Sequence, residues 1–279
     1  MIQIITDTTC SMTMEQYRQH RITPIPLYIR NDDQTRRELI EISYDDFYKE
    51  QRAGIHFSTS QPDPNSFIEV FRKTIEAGDE VVCILLSSKI SGTINSATLA
   101  QQMVDSDQIS IIDSGESGFG QAAQALKARE MADAGADRAT IVQALLEQRR
   151  RSKVYFVVES LRYLYEGGRL SGAQALIGSL IQIKPIIWFD PQGTMTALEK
   201  IRTLKAAKTR TLDLIREQAE RFGVERVALH YGDNIEEAIA FAREMEAIVK
   251  VPVPLVKLSP VVGSHTGPDI LGPGIITLK

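Results

Sequence analysis

Short apolar runs alternate along this chain with stretches whose apolar residues recur at helical spacing. This pattern indicates a parallel sheet covered by helices, because strands buried on both faces are apolar throughout and helices connect them. The first half shows the pattern most clearly. Its predicted strands are residues 2–5, 25–29, 81–86 and 109–112, and its predicted helices are 66–76, 91–104, 121–132 and a last one marked by Ile141, Leu145 and Gln148.

The second half has a different order of elements. A strand at 154–158 leads into a short helix that Gly167 and Gly168 end. Residues 185–189 and 194–199 form a predicted hairpin, because Pro191 has a fixed φ angle that suits its position in the turn. Further predictions are helices at 204–222 and 234–249 and strands at 226–230, near 253–258 and at 274–278.

The change of pattern near residue 152 predicts two domains. We expect an N-terminal, mainly parallel α/β domain at 1–152 and a C-terminal α+β domain with a mixed sheet at 153–279. The segment between Arg30 and Arg37 is wholly polar, and we expect an exposed loop or hairpin tip there.

The charge balance argues against nucleic acid as a partner. The 279 residues carry a net charge of -4, and the lysines and arginines are spread along the chain. Nucleic-acid binding usually concentrates basic residues on one surface, and no helix-turn-helix signal is present. We therefore expect no nucleic-acid partner.

The sequence contains no export or membrane signal. No basic leader precedes the first strand, and no apolar run approaches the roughly 18 residues of a spanning helix. Cys10 and Cys83 are far apart and lack C-x-x-C spacing, which predicts reduced structural thiols. We expect a cytoplasmic protein and, by default, a monomer.

Hydroxyl-rich loops follow three of the predicted strands. They are residues 7–9, 87–93 and 113–115. Ligands of α/β sheets bind beyond the carboxyl ends of the strands, and the helix that follows each loop favours an anion at its N-terminus. Ser, Thr and Asp are also the ordinary N-caps of helices. Helix capping and a polar headgroup site are therefore both open readings of these loops.

Nucleotide, metal and hydrolytic chemistry have little support. Neither a P-loop nor a G-x-G-x-x-G is present, and Ser91 lies in I-S-G-T rather than in a G-x-S-x-G elbow. No histidine has metal-ligand spacing, so we expect neither a metal nor a cofactor. His20, His56 and His230 are predicted to be surface or packing residues.

His265 differs from the other histidines because it lies in G-S-H-T-G-P at 263–268. This segment is too rich in glycine to predict a regular element. Polar side chains on such a turn bind a ligand or hold the turn together, and both readings are open. Arg169 follows two glycines and Arg202 follows a predicted strand end; either could pair with an anion, although an exposed arginine is the default.

Several segments together resemble the DegV family of bacterial proteins, nearly from end to end. Their order and spacing make the resemblance specific, although each segment alone is weak. The segments are T-D-T at 6–8, T-S-Q-P at 59–62, S-S-K-I-S-G-T at 87–93, I-D-S at 112–114, G-G-R-L-S at 167–171, I-K-P at 183–185, E-K-I-R at 199–202 and G-S-H-T-G-P at 263–268.

The resemblance implies a lipid carrier of phospholipid metabolism that is not itself an enzyme. Such a protein buries a long-chain fatty acid, for example palmitate, stearate or oleate, between its domains and presents the carboxylate to a separate fatty-acid kinase. By this resemblance Thr59 and Ser91 bind the carboxylate. Thr8, Arg169, His265 and Thr266 lie near the headgroup, and Arg202 engages the kinase.

Two alternatives remain open beside this resemblance. The first is a hydrolase or transferase that acts on a small anionic substrate with His265 as its base. The second concerns the basic residues between Lys200 and Arg210. They form either a docking patch, for the kinase or for a transient membrane contact, or simply a solvated helix face.

The sequence departs from the family pattern at Asp269, where glycine is usual. It also departs at Thr8, Thr9, Lys89 and Ile94.

Overall fold

The structure is a computed structural model and describes residues 1–32, 34–170 and 183–279. The first half contains seven strands and six helices in these residues. In chain order they are β1 (Ile2–Asp7), a 3-10 turn (Thr8–Cys10), α1 (Met14–Gln19), β2 (Ile22–Ile25), β3 (Tyr28–Arg30), β4 (Thr35–Arg37), α2 (Tyr44–Arg52), β5 (Ser58–Ser60), α3 (Pro64–Glu76), β6 (Glu80–Leu85), α4 (Thr93–Val104), β7 (Ile109–Asp113), α5 (Phe119–Asp133) and α6 (Arg138–Arg151).

The second half contains six strands and four helices in the described residues. In chain order they are β8 (Ser152–Val158), α7 (Arg162–Glu166), β9 (Ile186–Phe189), β10 (Met195–Glu199), α8 (Leu204–Phe222), β11 (Arg226–Tyr231), α9 (Ile235–Val249), β12 (Leu255–Lys257), α10 (Pro260–Thr266) and β13 (Ile270–Ile276).

The first sheet is parallel and has the strand order β2-β1-β6-β7. Successive side chains of a strand point to opposite faces, and both faces of this sheet are apolar. Ile4 and Ile84 pack with α5 and α6 on one face, and Ile5 and Leu85 pack with α3 and α4 on the other. The predicted parallel α/β architecture is therefore confirmed.

The second sheet is mixed and has the order β10-β9-β8-β13-β11-β12. Only β11 and β12 pair in parallel. Helices α8 and α9 cover one face through Leu212, Ile215 and Phe241. The opposite face packs against α5, whose Phe119 and Ala123 join the same core cluster as Phe156. Helix α5 thus lies between the two sheets, which explains why most of its residues up to Ala128 are buried.

The apolar run at 25–29 is not one strand, as predicted, but the junction of two. Strand β2 ends at Ile25 in the first sheet, and β3 begins at Tyr28 in a small antiparallel sheet of order β4-β3-β5. Pro26 lies between them and has no N–H group to donate to a ladder, so the chain leaves the first sheet there. The pairing of β3 with β4 confirms the predicted hairpin at 30–37.

Two further predictions near the C-terminus differ from the structure. The strand expected at 274–278 is present as β13, but it runs from Ile270 to Ile276. Gly272 suggested a turn in the sequence, but it lies opposite the Phe156 ring, where a Cβ would come within 2.9 Å. The segment expected to be irregular, 263–268, is helical up to Thr266. Pro260 begins this helix with a suitable φ, and Ser264 Oγ donates to its carbonyl at 2.8 Å.

Candidate ligand-binding site

A cavity of about 300 Å³ lies where the carboxyl ends of β1 and β6 approach α10 and β10. It is mostly apolar and also has polar lining residues. Its walls come from both halves of the chain. The lining residues are Thr9, Leu27, Thr59, Ser60, Gln61, Leu86, Ile90, Ser91, Gly92, Ser117, Arg169, Met195, Val261, Val262, His265 and Thr266.

Thr59 and His265 form a hydrogen-bonded pair in the wall of this cavity. Thr59 lies on β5, His265 lies on α10, and Thr59 Oγ1 is 2.7 Å from His265 Nε2. Burial, together with a smaller contribution from the nearby Arg169 charge, lowers the pKa of His265 from 6.5 to about 3. The imidazole is therefore neutral at neutral pH. It can exchange a hydrogen bond with a ligand oxygen without adding a full charge.

His265 Nδ1 is buried and has no hydrogen-bond partner among the described residues. The ring lies against the end of α7 at Gly167, where a Cβ would collide with Nδ1. A buried polar atom without a partner costs about 1–3 kcal/mol in a protein interior. Such a cost is commonly retained at a functional position, where a bound molecule compensates for it.

Arg169 brings a positive charge to the same place. Its side chain is half-buried, and its guanidinium donates to the carbonyl oxygens of Ile90, at 3.4 Å, and of Gly167. It forms no ion pair with a carboxylate in the described part of the chain. Burial lowers the pKa of this guanidinium, but arginine stays charged. An anionic ligand is therefore the charge partner that this arginine can take.

Ser91 lines the cavity at the start of α4. Its Oγ lies 2.9 Å from Thr93 Oγ1 and accepts a 3.3 Å hydrogen bond from the Thr93 N–H. The second bond resembles helix capping, so the capping reading and the ligand reading apply to the same hydroxyl. Gln61 completes this wall, and sequence reasoning did not assign its side chain a role. Its Nε2 donates to Ser96 Oγ at 3.2 Å.

The loop after β1 is held by a buried carboxylate. Asp7 accepts hydrogen bonds from the N–H groups of Thr9, at 2.9 Å, and Leu86, at 2.8 Å, and from Gln121 Nε2 at 2.9 Å. Burial raises the pKa of Asp7 although these bonds favour its charged form. Thr9 lines the cavity, whereas Thr8, the residue predicted near the headgroup, lies behind it and bonds to Glu38.

The remaining predicted residues differ in their positions. Thr266 lines the cavity, and its hydroxyl donates to Val262 O at 3.1 Å. Arg202 is exposed between β10 and α8, away from the cavity lining. The third hydroxyl loop is bound to the second, because Asp113 accepts from Gly115 N at 2.9 Å and from Ser88 Oγ at 2.6 Å.

A second, polar recess of about 550 Å³ adjoins the cavity. Thr59, Arg169 and His265 line both spaces. The recess also contains Arg30 and His56 and opens toward β3 and α7. The three shared residues therefore form a polar boundary, which we call the headgroup trio, between an apolar cavity and a polar opening.

Metal ligands, cysteines and membrane-spanning helices are considered next, in the described residues. Within 1–32, 34–170 and 183–279, no three His, Cys, Asp or Glu side chains are grouped to hold a metal ion. Both cysteines are buried free thiols, as predicted. In the same ranges, no helix is both long enough and apolar enough to cross a membrane.

The fold and site define a class of α/β proteins in which a parallel and a mixed sheet are joined by a cavity lined by residues of both halves of the chain. A family model described as "Uncharacterised protein, DegV family" matches residues 1–278. A DegV domain-containing protein of Listeria innocua is 37% identical over 274 residues, covering 97% of this chain and 96% of that one. The chain therefore belongs to the DegV family, and the predicted resemblance is confirmed.

Solved structures agree with this assignment. A structure described as DegV, a fatty acid binding protein from Bacillus subtilis, is 36% identical and has a TM-score of 0.90, with 99% of both chains covered. A stearic acid-binding protein from Eubacterium ventriosum is 26% identical and has a TM-score of 0.90, covering 100% of this chain and 99% of that one.

Proposed function

We propose that this protein binds a long-chain fatty acid in the interdomain cavity, with the carboxylate at the headgroup trio. The observation that carries the proposal is that Thr59, Arg169 and His265 border both an apolar cavity and a polar recess. A fatty acid has the same division, since an apolar tail ends in one anionic group. The structures from Bacillus subtilis and Eubacterium ventriosum, which are described as fatty acid-binding and stearic acid-binding proteins, support this choice of ligand.

The polar groups suit a carboxylate removed from water. An isolated buried carboxylate is costly, so it needs hydrogen-bond donors and an opposite charge. Arg169 supplies the charge, and the hydroxyls of Thr59 and Ser91 supply donors by rotation. The neutral His265 has a single N–H, so the Thr59–His265 pair supplies one donor to the carboxylate: the Thr59 hydroxyl when Nε2–H donates to Thr59, or Nδ1–H when Thr59 donates to Nε2. These four side chains are our proposed carboxylate site, with Thr266 and the Thr8–Thr9 turn behind it.

The tail supplies most of the affinity in this proposal. Burying about fifteen methylenes at about 0.8 kcal/mol each gives a gross gain of roughly 12 kcal/mol, from which association and ordering costs are subtracted. The tail would contact Ile90, Met195 and Val262, which join the core cluster on the inner face of the second sheet. Leu161 and Leu164, predicted for the tunnel, are buried in that cluster; Leu176, Ile177, Leu180 and Ile181 lie outside the described residues.

We further propose that the recess exposes the bound carboxylate to a separate fatty-acid kinase. The protein would then be a cytoplasmic carrier that performs no chemistry alone. The exposed Arg202 would contact the kinase, and a membrane surface would be a transient partner during loading. The division into domains at residues 1–152 and 153–279 is part of this proposal, because the ligand would lie between them.

Native mass spectrometry of the purified protein, followed by denaturing extraction, tests the ligand. We expect one fatty acid per chain. Ser91→Ala should weaken fatty-acid retention about tenfold, whereas Ser88→Ala removes a hydroxyl bound to Asp113 outside the cavity and should not. A wild-type protein that contains no lipid and takes up no added fatty acid would contradict the proposal.

Phosphoryl transfer from ATP to the bound fatty acid, catalysed by an added fatty-acid kinase, tests presentation. Arg202→Ala should slow transfer without changing fatty-acid affinity, and Arg243→Ala, which removes an exposed arginine of α9 outside the basic stretch at 200–210, serves as the matched control. Equal rates for the wild type and both variants would remove Arg202 from the kinase contact.

The alternative enzyme reading rests on the 2.7 Å contact between Thr59 and His265, which resembles a nucleophile beside a base. No carboxylate orients the imidazole among the described residues, because Nδ1 has no partner there. Ester or phosphate hydrolysis that is abolished by His265→Ala would favour this reading over the carrier.

A further inference from the structure

Glu38 is a buried carboxylate that touches three separate segments of the chain. It follows β4 and is 0% exposed. Its Oε1 accepts a hydrogen bond from Thr8 Oγ1, and its Oε2 accepts one from the Val261 N–H at 2.8 Å. The N–H of Glu38 itself donates to Leu27 O at 3.0 Å. One residue thus joins the turn after β1, the β2–β3 connection and the start of α10.

These three segments are walls of the ligand cavity. Leu27 and Val261 line it directly, and Thr8 precedes the lining residue Thr9. Thr8 Oγ1 also accepts from the Leu27 N–H at 3.1 Å, which closes the network. Helix α10 continues from Val261 to His265, about 6 Å along its axis at 1.5 Å per residue. A shift of α10 at Val261 would therefore move His265 relative to Thr59.

The carboxylate of Glu38 has donors but no ion-pair partner among the described residues. Its pKa is raised from 4.5 to about 7, mainly by burial; the Asp7 charge also acts to raise the pKa, and the hydrogen bonds from Thr8 and Val261 act to lower it. Both protonation states are therefore populated near neutral pH. The titratable groups that interact with Glu38 from the surrounding elements are Asp7 on β1, Cys10 on the 3-10 turn, Tyr17 on α1, and Tyr44 and Tyr48 on α2.

We propose that Glu38 is a positioning residue of the ligand site, which holds α10 against the turn after β1 and thereby sets the distance between His265 and Thr59. The inference rests on the proposed fatty-acid site. In its ionised state Glu38 accepts both hydrogen bonds as charge-assisted bonds, which are stronger than neutral ones. Protonation weakens this hold on α10 and lowers the affinity for the ligand.

Glu38→Gln is the central test, because glutamine has the shape and charge of protonated glutamate. Dissociation constants for a fluorescent fatty-acid analogue are measured from pH 5.5 to 8.5 for the wild type and the variant. We expect Glu38→Gln to bind about tenfold more weakly than the wild type above pH 7.5 and equally below pH 6. The ionisation of the ligand is common to both proteins and cancels in the ratio.

Glu116→Gln is the matched control. Glu116 is also buried, burial raises its pKa to about 7, and its side chain accepts from Ser152 Oγ at 2.8 Å instead of from a cavity wall. Its substitution should leave the affinity ratio at one throughout the pH range. Three outcomes would overturn the inference. The ratio of the dissociation constants of Glu38→Gln and the wild type could stay constant with pH, or it could fall below one above pH 7.5. Glu116→Gln could also change its own ratio as much as Glu38→Gln does. Failure of the wild type to bind at any pH would instead contradict the proposed function.

A measurement on the wild type keeps the test informative if Glu38→Gln does not fold. The amide resonance of Val261 reports the titration of the carboxylate that it donates to. By linkage, tighter binding to the ionised form requires that the ligand lower this midpoint. We expect a midpoint near 7 without ligand, and a lower midpoint with fatty acid bound. An unchanged or higher midpoint would overturn the inference.

Discussion

Two histidines of the second half each contact the first half, and their hydrogen bonds differ: His230 is buried and His265 is partly buried. His230, on β11, accepts the Phe119 N–H at 2.6 Å and lies 2.9 Å from Gly272 O through Nδ1. His265, on α10, bonds to Thr59 through Nε2 and has no described partner at Nδ1. Burial lowers the pKa of both, to about 4 and about 3.

This difference in hydrogen bonding shows that His230 maintains the fold and that His265 is available to a ligand. Both nitrogens of His230 are used within the protein, and its ring lies between Phe119 and Phe156. His265 borders two cavities with one nitrogen to spare. Burial and pKa alone would place the two in one class, whereas the count of satisfied atoms separates them.

The largest expected effect is on stability, from His230→Leu. This change leaves the buried Phe119 N–H and Gly272 O without partners, at about 1–3 kcal/mol each, so we expect a loss of roughly 3 kcal/mol in the free energy of unfolding at pH 7. Urea denaturation measures it. Fatty-acid affinity of the folded variant should match that of the wild type. A loss below about 1 kcal/mol would show that His230 does not hold these groups.

Acid pH should reduce the difference in unfolding free energy between the wild type and His230→Leu. The folded-state pKa of His230 lies below its unfolded value of 6.5, so its contribution to stability is complete above pH 6.5 and is lost as pH falls toward 4. The gap between the wild type and His230→Leu should therefore narrow by about 3 kcal/mol over this range. Glu38 and Glu116 act in the opposite direction, since their raised pKa values favour folding at lower pH. Their effect cancels because both proteins contain them. A gap that does not change with pH would contradict the low pKa.

His265→Leu should lower fatty-acid affinity and leave stability nearly unchanged, the reverse of the expectation for His230→Leu. It removes a hydrogen bond to Thr59 but also a buried nitrogen that has no described partner, so we expect the free energy of unfolding to change by less than about 1 kcal/mol. Fatty-acid affinity should fall about tenfold, equivalent to about 1.4 kcal/mol. Calorimetric titration and denaturation of the same sample separate the two effects. A stability loss as large as that of His230→Leu would end the distinction between the histidines.

The sequence predicted this distinction only in part. Apolar periodicity located both sheets and most helices, and the setting of His265 separated it from the other three histidines. The pattern could not predict α10, because Pro260 and tertiary contacts such as Gln51 Nε2 to Gly263 O, at 3.0 Å, stabilise a helix in a glycine-containing segment. Nor could the apolar pattern identify Glu38. Its neighbour Arg37 is exposed, and the segments that enclose the Glu38 side chain are distant along the chain.

The smallest effect is expected at Asp269. Asp269 accepts two hydrogen bonds from Arg52 of α2, at 2.6 and 2.9 Å, four residues after His265. Both side chains are about one-third exposed or more, at 42% for Arg52 and 32% for Asp269. Asp269→Asn should therefore cost only about 0.5–1 kcal/mol of unfolding free energy, and less in 1 M salt.

The Arg52–Asp269 pair also tests whether charges outside the cavity lining affect the headgroup trio. The charge of Asp269 is already paired with Arg52, so removing it should leave fatty-acid affinity unchanged although it lies close to His265 in sequence. Asp233→Asn is the matched control, because Asp233 contacts the same arginine at 3.3 Å and lies farther from α10 along the chain. If Asp269→Asn alone altered affinity more than threefold, then the electrostatic environment of His265 would extend beyond the cavity lining, and the contrast with His230 would depend on charge as well as on hydrogen bonds.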